Sequence, residues 1–150
     1  MKHYLAYGSN LNLEQMAFRC PDALPVGSAE IQGWQLAFRR GYLTIEPAEG
    51  SAVPVGIWLI SEQDEKSLDR YEGFPRFYRK EYIETEIPYY DEARPCLVYI
   101  MNDGYPVQKP SPEYLLTVAK GYSDFGMGML PLVEAYDRST TVSTTNNARN

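Results

Sequence analysis

Apolar and polar positions along this chain fall into short blocks whose period switches between that of a strand and that of a helix. Lys2 to Tyr7 reads as a strand that breaks off at Gly8-Ser9-Asn10. A helical pattern then runs from about Leu13 to Arg19, with Asn12 as N-cap and Gln15 three residues on. Pro21 blocks its continuation. Two strands are expected around Gly33, Pro25 to Ile31 and Trp34 to Phe38, and another short one over Leu43 to Glu46. Ser51 to Ile60 is strand-like, with Pro54 and Gly56 suggesting an edge or a bulge. Ser61 opens a second helix whose first turn carries Glu62, Asp64 and Glu65, and Gly73 ends it. Strands follow over Phe77 to Ile87, closed by Pro88, and over Pro95 to Met101. Ser111-Pro112-Glu113 is an N-cap, a first-turn proline and an acidic first turn in order. The helix they start places Leu115, Val118, Ala119 and Tyr122 on one face. Met129 to Tyr136 predicts a last short helix.

Together these elements predict an α+β domain over residues 1–136 with a mixed or mostly antiparallel sheet. There are too few long helices between strands for a doubly wound fold. After Tyr136 the chain turns to Ser, Thr and Asn, so residues 137–150 are expected to be a tail without fixed structure.

Charge removes several function classes. The formal net charge is −6 with no basic stripe, which argues against a nucleic-acid partner. No apolar run is long enough to span a bilayer, and Gly-Ser-Asn interrupts the first apolar stretch too early for a signal peptide. A cytoplasmic location is the expectation. Cys20 and Cys96 form no metal-binding spacing and read as reduced, buried thiols. His3 is the only histidine and is expected at an edge or surface, which excludes a zinc site with two histidines. With no phosphate-binding glycine loop either, the chain is expected to work without metal, nucleotide or flavin.

Two features carry candidate chemistry. A strand that feeds a tight turn and then a helix aims unpaired backbone N–H groups at one point, so Tyr7-Gly8-Ser9-Asn10-Leu11 suits a small anion. Ser9 itself has no apparent base and reads as a turn residue. Glu72 lies at the C-terminal end of the second helix, against the negative end of its dipole and three residues after Asp69. Both neighbours would raise its proton affinity and suit it to general base and acid work. The bland alternative is a solvated glutamate neutralised by Arg70, Arg76 or Lys80. Tyrosine is abundant, at 13 residues; Tyr7, Tyr78, Tyr99 and Tyr114 lie near these motifs, where an apolar wall with one hydroxyl grips a small polar ligand.

The chain resembles the γ-glutamylcyclotransferases and their AIG2-like relatives. The likeness rests on Tyr7-Gly8-Ser9-Asn10-Leu11, on Leu68-Asp69-Arg70-Tyr71-Glu72-Gly73 with Tyr78 after it, on Tyr99-Ile100-Met101 and on Pro110-Ser111-Pro112-Glu113-Tyr114. It spans roughly residues 2 to 135. It implies a small, barrel-like mixed sheet flanked by helices, with a cavity between the turn and an essential glutamate. That glutamate falls on Glu72, the backbone substrate loop on Tyr7 to Leu11 and the substrate-lining tyrosine on Tyr114, with Tyr78 and Tyr99 near the pocket.

The reaction so implied is intramolecular. The α-amine of a γ-glutamyl compound attacks its own γ-carbonyl, giving 5-oxoproline and releasing an amine such as an amino acid or dipeptide. Glu72 would accept the α-ammonium proton and return it to the leaving nitrogen, while the turn holds the α-carboxylate or the oxyanion. Three other readings stay open: a γ-glutamylamine cyclotransferase or an enzyme trimming a γ-glutamyl protecting group, a non-catalytic binding module of the same fold, and a plain interaction domain.

Overall fold

The sheet is built around the first strand. In the computed structural model, which describes residues 1–149 and the side chains of residues 1–141, β1 (Lys2–Ala6) lies in the middle of a five-stranded sheet of order β2-β3-β1-β5-β4. It pairs antiparallel with β3 (Tyr42–Ile60) and parallel with β5 (Arg94–Met101) at Tyr4 and Leu97. The remaining ladders are antiparallel: β2 (Leu24–Arg39) with β3, and β4 (Tyr78–Thr85) with β5. The α+β class and the mixed sheet expected from the sequence are therefore found. His3, expected at an edge or surface, is on the middle strand and half-buried, with its ring edge-on to Tyr90, the centroids 5.3 Å apart.

Two of the expected breaks are bends instead. β2 runs through Gly33, which takes φ +84 where the register shifts between Gln32 and Trp34, so one bulged strand replaces two. β3 likewise joins Leu43–Glu46 to Ser51–Ile60. It is interior where β1 pairs with Gly56–Ile60, but pairing with β1 stops at Gly56, so Pro54 is paired with β2 alone and sits on a local edge as expected. Gly56 marks close packing, since a Cβ there would lie 2.6 Å from Leu11 Cδ2 and 2.7 Å from the Phe125 ring. The bend carries the start of β3 across to the far strands. Met101 N donates to Thr44 Oγ1 (3.0 Å) and Tyr78 O–H to Leu43 O (2.7 Å), which curls the sheet toward a barrel without a complete ladder.

Helix ends follow the local chemistry. Asn12 caps α1 (Leu13–Arg19) by accepting from Gln15 N at 3.0 Å. Ser61 and Asp64 form a reciprocal capping box on α2 (Glu62–Glu72), and Gly73 closes that helix at φ +66. Ser111 caps α3 (Pro112–Asp124). Ser61→Ala is expected to destabilise the chain by about 1 kcal/mol, because the Asp64 N–H would lose its acceptor; urea unfolding measures it. An unchanged midpoint would mean that water replaces the cap at no cost.

The last helix departs from expectation. Residues after Tyr136 continue α4 (Leu130–Arg149), which packs on β2 through buried Leu132 and Ala135. Arg138 donates to Leu36 O at 2.7 Å, and Ser139 is buried. The Ser/Thr composition conceals this docking because the seat is shared by a backbone carbonyl and small side chains. Of the expected tail, Asn150 lies outside the described residues. Cys20 and Cys96 are free and buried, as expected. No helix among the described residues is long and apolar enough to cross a membrane.

Candidate active site

The turn after β1 is fixed from several directions. Leu11 N donates to Gly8 O (3.1 Å) and Asn12 N to Ser9 O (3.0 Å), making a single 3-10 turn over Ser9–Leu11. Trp58 Nε1 donates to Asn10 O (2.9 Å) and Tyr122 O–H to Tyr7 O (3.1 Å), so β3 and α3 both grip it. Leu11 is its anchor: fully buried, it packs toward Gly56 and Gly121 and does not line the cavity, contrary to the substrate-loop reading of that residue. A side chain at position 8 would bring Cβ within 3.3 Å of Tyr114 Oη, so glycine permits the close approach of α3.

Glu72 ends α2 across a cavity of about 690 Å³ that Tyr7, Gly8, Ser9, Asn10, Tyr78, Tyr99 and Tyr114 also line. Asn10 connects the two sides. Its Nδ2 donates to Tyr4 Oη at 2.9 Å and to Glu72 Oε1 at 3.3 Å, and its Oδ1 accepts from the Arg19 guanidinium. That guanidinium lies 3.4 Å from the centre of the Tyr71 ring, whose hydroxyl shares a 2.8 Å hydrogen bond with Ser9 Oγ.

Burial raises the Glu72 carboxyl from 4.5 to about 7, and the charge of Arg19 works against it. The direction agrees with the sequence reading; the cause does not. Asp69 accepts from Tyr99 O–H at 2.6 Å and from Lys80, and it is no source of the shift. Of the cations proposed to neutralise Glu72, Lys80 is engaged with Glu65 and Asp69 and Arg70 with Ser67, and neither these nor Arg76 is the charge that acts on it. A carboxyl with a proton affinity near neutrality can both take and return a proton at physiological pH.

The tyrosines divide by what their hydroxyls do. Tyr7 donates to Tyr99 O (2.6 Å), Tyr78 to Leu43 O and Tyr99 to Asp69, so these three rings wall the cavity with their protons committed to the protein. Tyr114 Oη accepts from Leu43 N at 3.1 Å, and its own proton has no protein acceptor among the described residues. Burial pushes the Tyr4, Tyr7, Tyr78, Tyr99 and Tyr114 hydroxyls upward, so all stay neutral donors at physiological pH. Tyr4, Leu5, Arg40, Tyr42, Leu43, Tyr71, Phe77 and Gln108 complete the lining and were not anticipated. Of these, Arg40-Gly41 did carry a signal, an X-Gly pair between two strand patterns. Among the described residues no group of three or more His, Cys, Asp or Glu could hold a metal ion.

The chain is similar to known proteins over most of its length. Gamma-glutamylcyclotransferase from Homo sapiens is 27% identical over 159 residues, covering 93% of this chain and 82% of that protein. The Bos taurus gamma-glutamylcyclotransferase is 28% identical over 138 residues, covering 83% of this chain and 71% of its own. A solved gamma-glutamyl cyclotransferase structure superposes with a TM-score of 0.76 at 26% identity, covering 93% of this chain and 86% of the other. The sequence profile of the family described as "Gamma-glutamyl cyclotransferase, AIG2-like" matches residues 4–121, a span that begins in β1 and ends within the helix that seats the turn, and the chain belongs to that family.

Proposed function

We propose that this protein is a γ-glutamylcyclotransferase: it closes a γ-glutamyl compound into 5-oxoproline and releases the attached amine. The observation that carries the reading is Glu72, poised by burial at about 7 within a cavity it shares with the turn at Gly8–Asn10. The α-ammonium gives its proton to the Glu72 carboxylate, and the freed amine attacks the γ-carbonyl carbon of the same molecule. The tetrahedral intermediate then collapses: the carbon–nitrogen bond to the leaving group breaks as the Glu72 carboxylic acid protonates the departing nitrogen, and the regenerated carboxylate takes the second proton from the ring nitrogen and passes it to the released amine, which leaves as an ammonium. Glu72 ends as it began. Because nucleophile and electrophile share one molecule, positioning by the cavity walls does the remaining entropic work. The polar lining at the turn is suited to the α-carboxylate or the developing oxyanion.

The direct test is mass spectrometric detection of 5-oxoproline from a panel of glutathione, γ-glutamyl-alanine and γ-glutamyl-ε-lysine. Product from at least one supports the reading; none from any of them overturns it. The pH dependence is a second check. The carboxylate form is the one that accepts the α-ammonium proton, so kcat/KM should rise with pH and level off above about 7. A rate flat from pH 5.5 to 8 would remove Glu72 from the proton transfer.

A further inference from the structure

Resting on the cyclotransferase reading, we propose that Arg40 selects the leaving group, gripping the carboxylate of an α-amino acid joined through its nitrogen to the γ-carbonyl. Arg40 is then the residue that discriminates a leaving group with a carboxylate from a simple amine.

The position of Arg40 is unusual. Arg39 pairs with Tyr42, so the β2–β3 hairpin turns on two residues, Arg40 at φ +53 and Gly41 at φ +83. A turn with both central residues at positive φ ordinarily takes Asn-Gly, and an arginine there holds a conformation its side chain disfavours. The tip is also clamped in place. Arg40 N donates to Pro106 O (2.9 Å), Gln108 N to Phe38 O (3.1 Å) and the Arg39 guanidinium to Tyr105 O (2.8 Å). On this platform the Arg40 guanidinium lies 5.1 Å from the Phe77 ring centre and 5.5 Å from that of Tyr105. Aromatic faces orient a guanidinium while leaving its N–H groups to donate.

Charge then identifies the ligand. Of the Asp, Glu, Lys and Arg side chains, only Arg40 and Glu72 line the cavity. Neighbouring Arg39 is paired with Glu46, and Arg79 with Glu81, whereas Arg40 is in no ion pair among the described residues. Glu72 and Asn10 serve the reacting end. Arg40 stands instead with Tyr42 and Phe77, residues without hydrogen bonds to the turn or to Glu72, and both Arg40 and Tyr42 are exposed at the mouth. An unpaired guanidinium at the mouth of a cavity in an acidic protein suits a bidentate carboxylate.

Two matched substrates test this: γ-glutamyl-alanine and γ-glutamyl-ethylamine, which differ only in the leaving-group carboxylate. The wild-type protein is expected to favour the alanine compound by about tenfold or more in kcat/KM, a charge-assisted hydrogen bond's worth. In Arg40→Gln that ratio should fall toward one, chiefly through a higher KM for γ-glutamyl-alanine, and Arg40→Lys should restore part of it. Arg40→Asn gives a second variant: asparagine suits the turn, so its Tm should match or exceed the wild type while the ratio is still lost. A parallel loss on both substrates would place Arg40 on the glutamyl half, and an unchanged ratio would remove it from recognition; either overturns the proposal. Failure of the wild type on these two compounds and on glutathione and γ-glutamyl-ε-lysine would overturn the cyclotransferase reading, and this one with it; turnover of only the latter two would overturn the Arg40 proposal alone.

Discussion

Glu72→Gln is expected to lower kcat for 5-oxoproline release by about a thousandfold, within the range that general acid–base catalysis contributes, and to stabilise the folded chain at neutral pH. Glutamine keeps the shape of the side chain and can still accept from Asn10, but it cannot carry the proton from the α-ammonium to the leaving nitrogen. The stability effect has a definite sign. The folded carboxyl titrates at about 7 and the unfolded one near 4.5, so between these values the folded chain holds a proton that the unfolded chain has released. Wild-type stability therefore gains nothing from Glu72 at pH 4 and falls as pH rises through 7, by up to about 3 kcal/mol. The variant lacks this decline. Urea midpoints at pH 5 and pH 8 for both proteins measure the difference. A variant with wild-type kcat would refute the chemistry, and parallel pH dependences would refute the burial of the carboxyl.

Gly121→Ala carries the second large effect. In an exposed helix this change would stabilise by about 1 kcal/mol, since alanine is the better helix former. Here a Cβ would stand 2.6 Å from Leu11 Cβ and 2.7 Å from both Asn12 N and Leu11 C. Two of these atoms are backbone, so no rotamer change relieves the clash, and α3 must move off the turn. A net loss of about 2 kcal/mol is expected in urea unfolding. The same displacement would carry Tyr114 and its bond to Leu43 N away from the cavity, so kcat/KM should drop by about tenfold as well. A variant as stable as wild type would show that α3 does not bear on the turn.

Much of this molecule is local. Asn12, Ser61, Gly73 and Ser111 bound their helices because each satisfies backbone groups a few residues away, and that chemistry is written in adjacent letters. The turn at Gly8–Asn10 and the glutamate at the end of α2 were legible for the same reason. Strand limits were less so. Gly33 and Gly50 both take positive φ, at +84 and +82, but long pairing on either side carries β2 and β3 through them. A glycine signals a special backbone angle without saying whether the strand stops or bends.

The sequence by itself determined the α+β class, the order of the elements, the acidic net charge, and the presence of a tight turn after the first strand and of a carboxylate at the end of the second helix. Only the tertiary structure decided what surrounds them. It set Leu11 in the core as an anchor, tied Asp69 to Tyr99 and Lys80, brought Arg19 onto Asn10, and carried α4 past Tyr136 along β2. It also brought Arg40 from the hairpin tip to the cavity that holds Glu72. The physical reason is range. Caps and turns depend on neighbours within about four residues, whereas the proton affinity of Glu72 depends on water being excluded by side chains drawn from β1, β3, β5 and α3, whose convergence no single segment encodes.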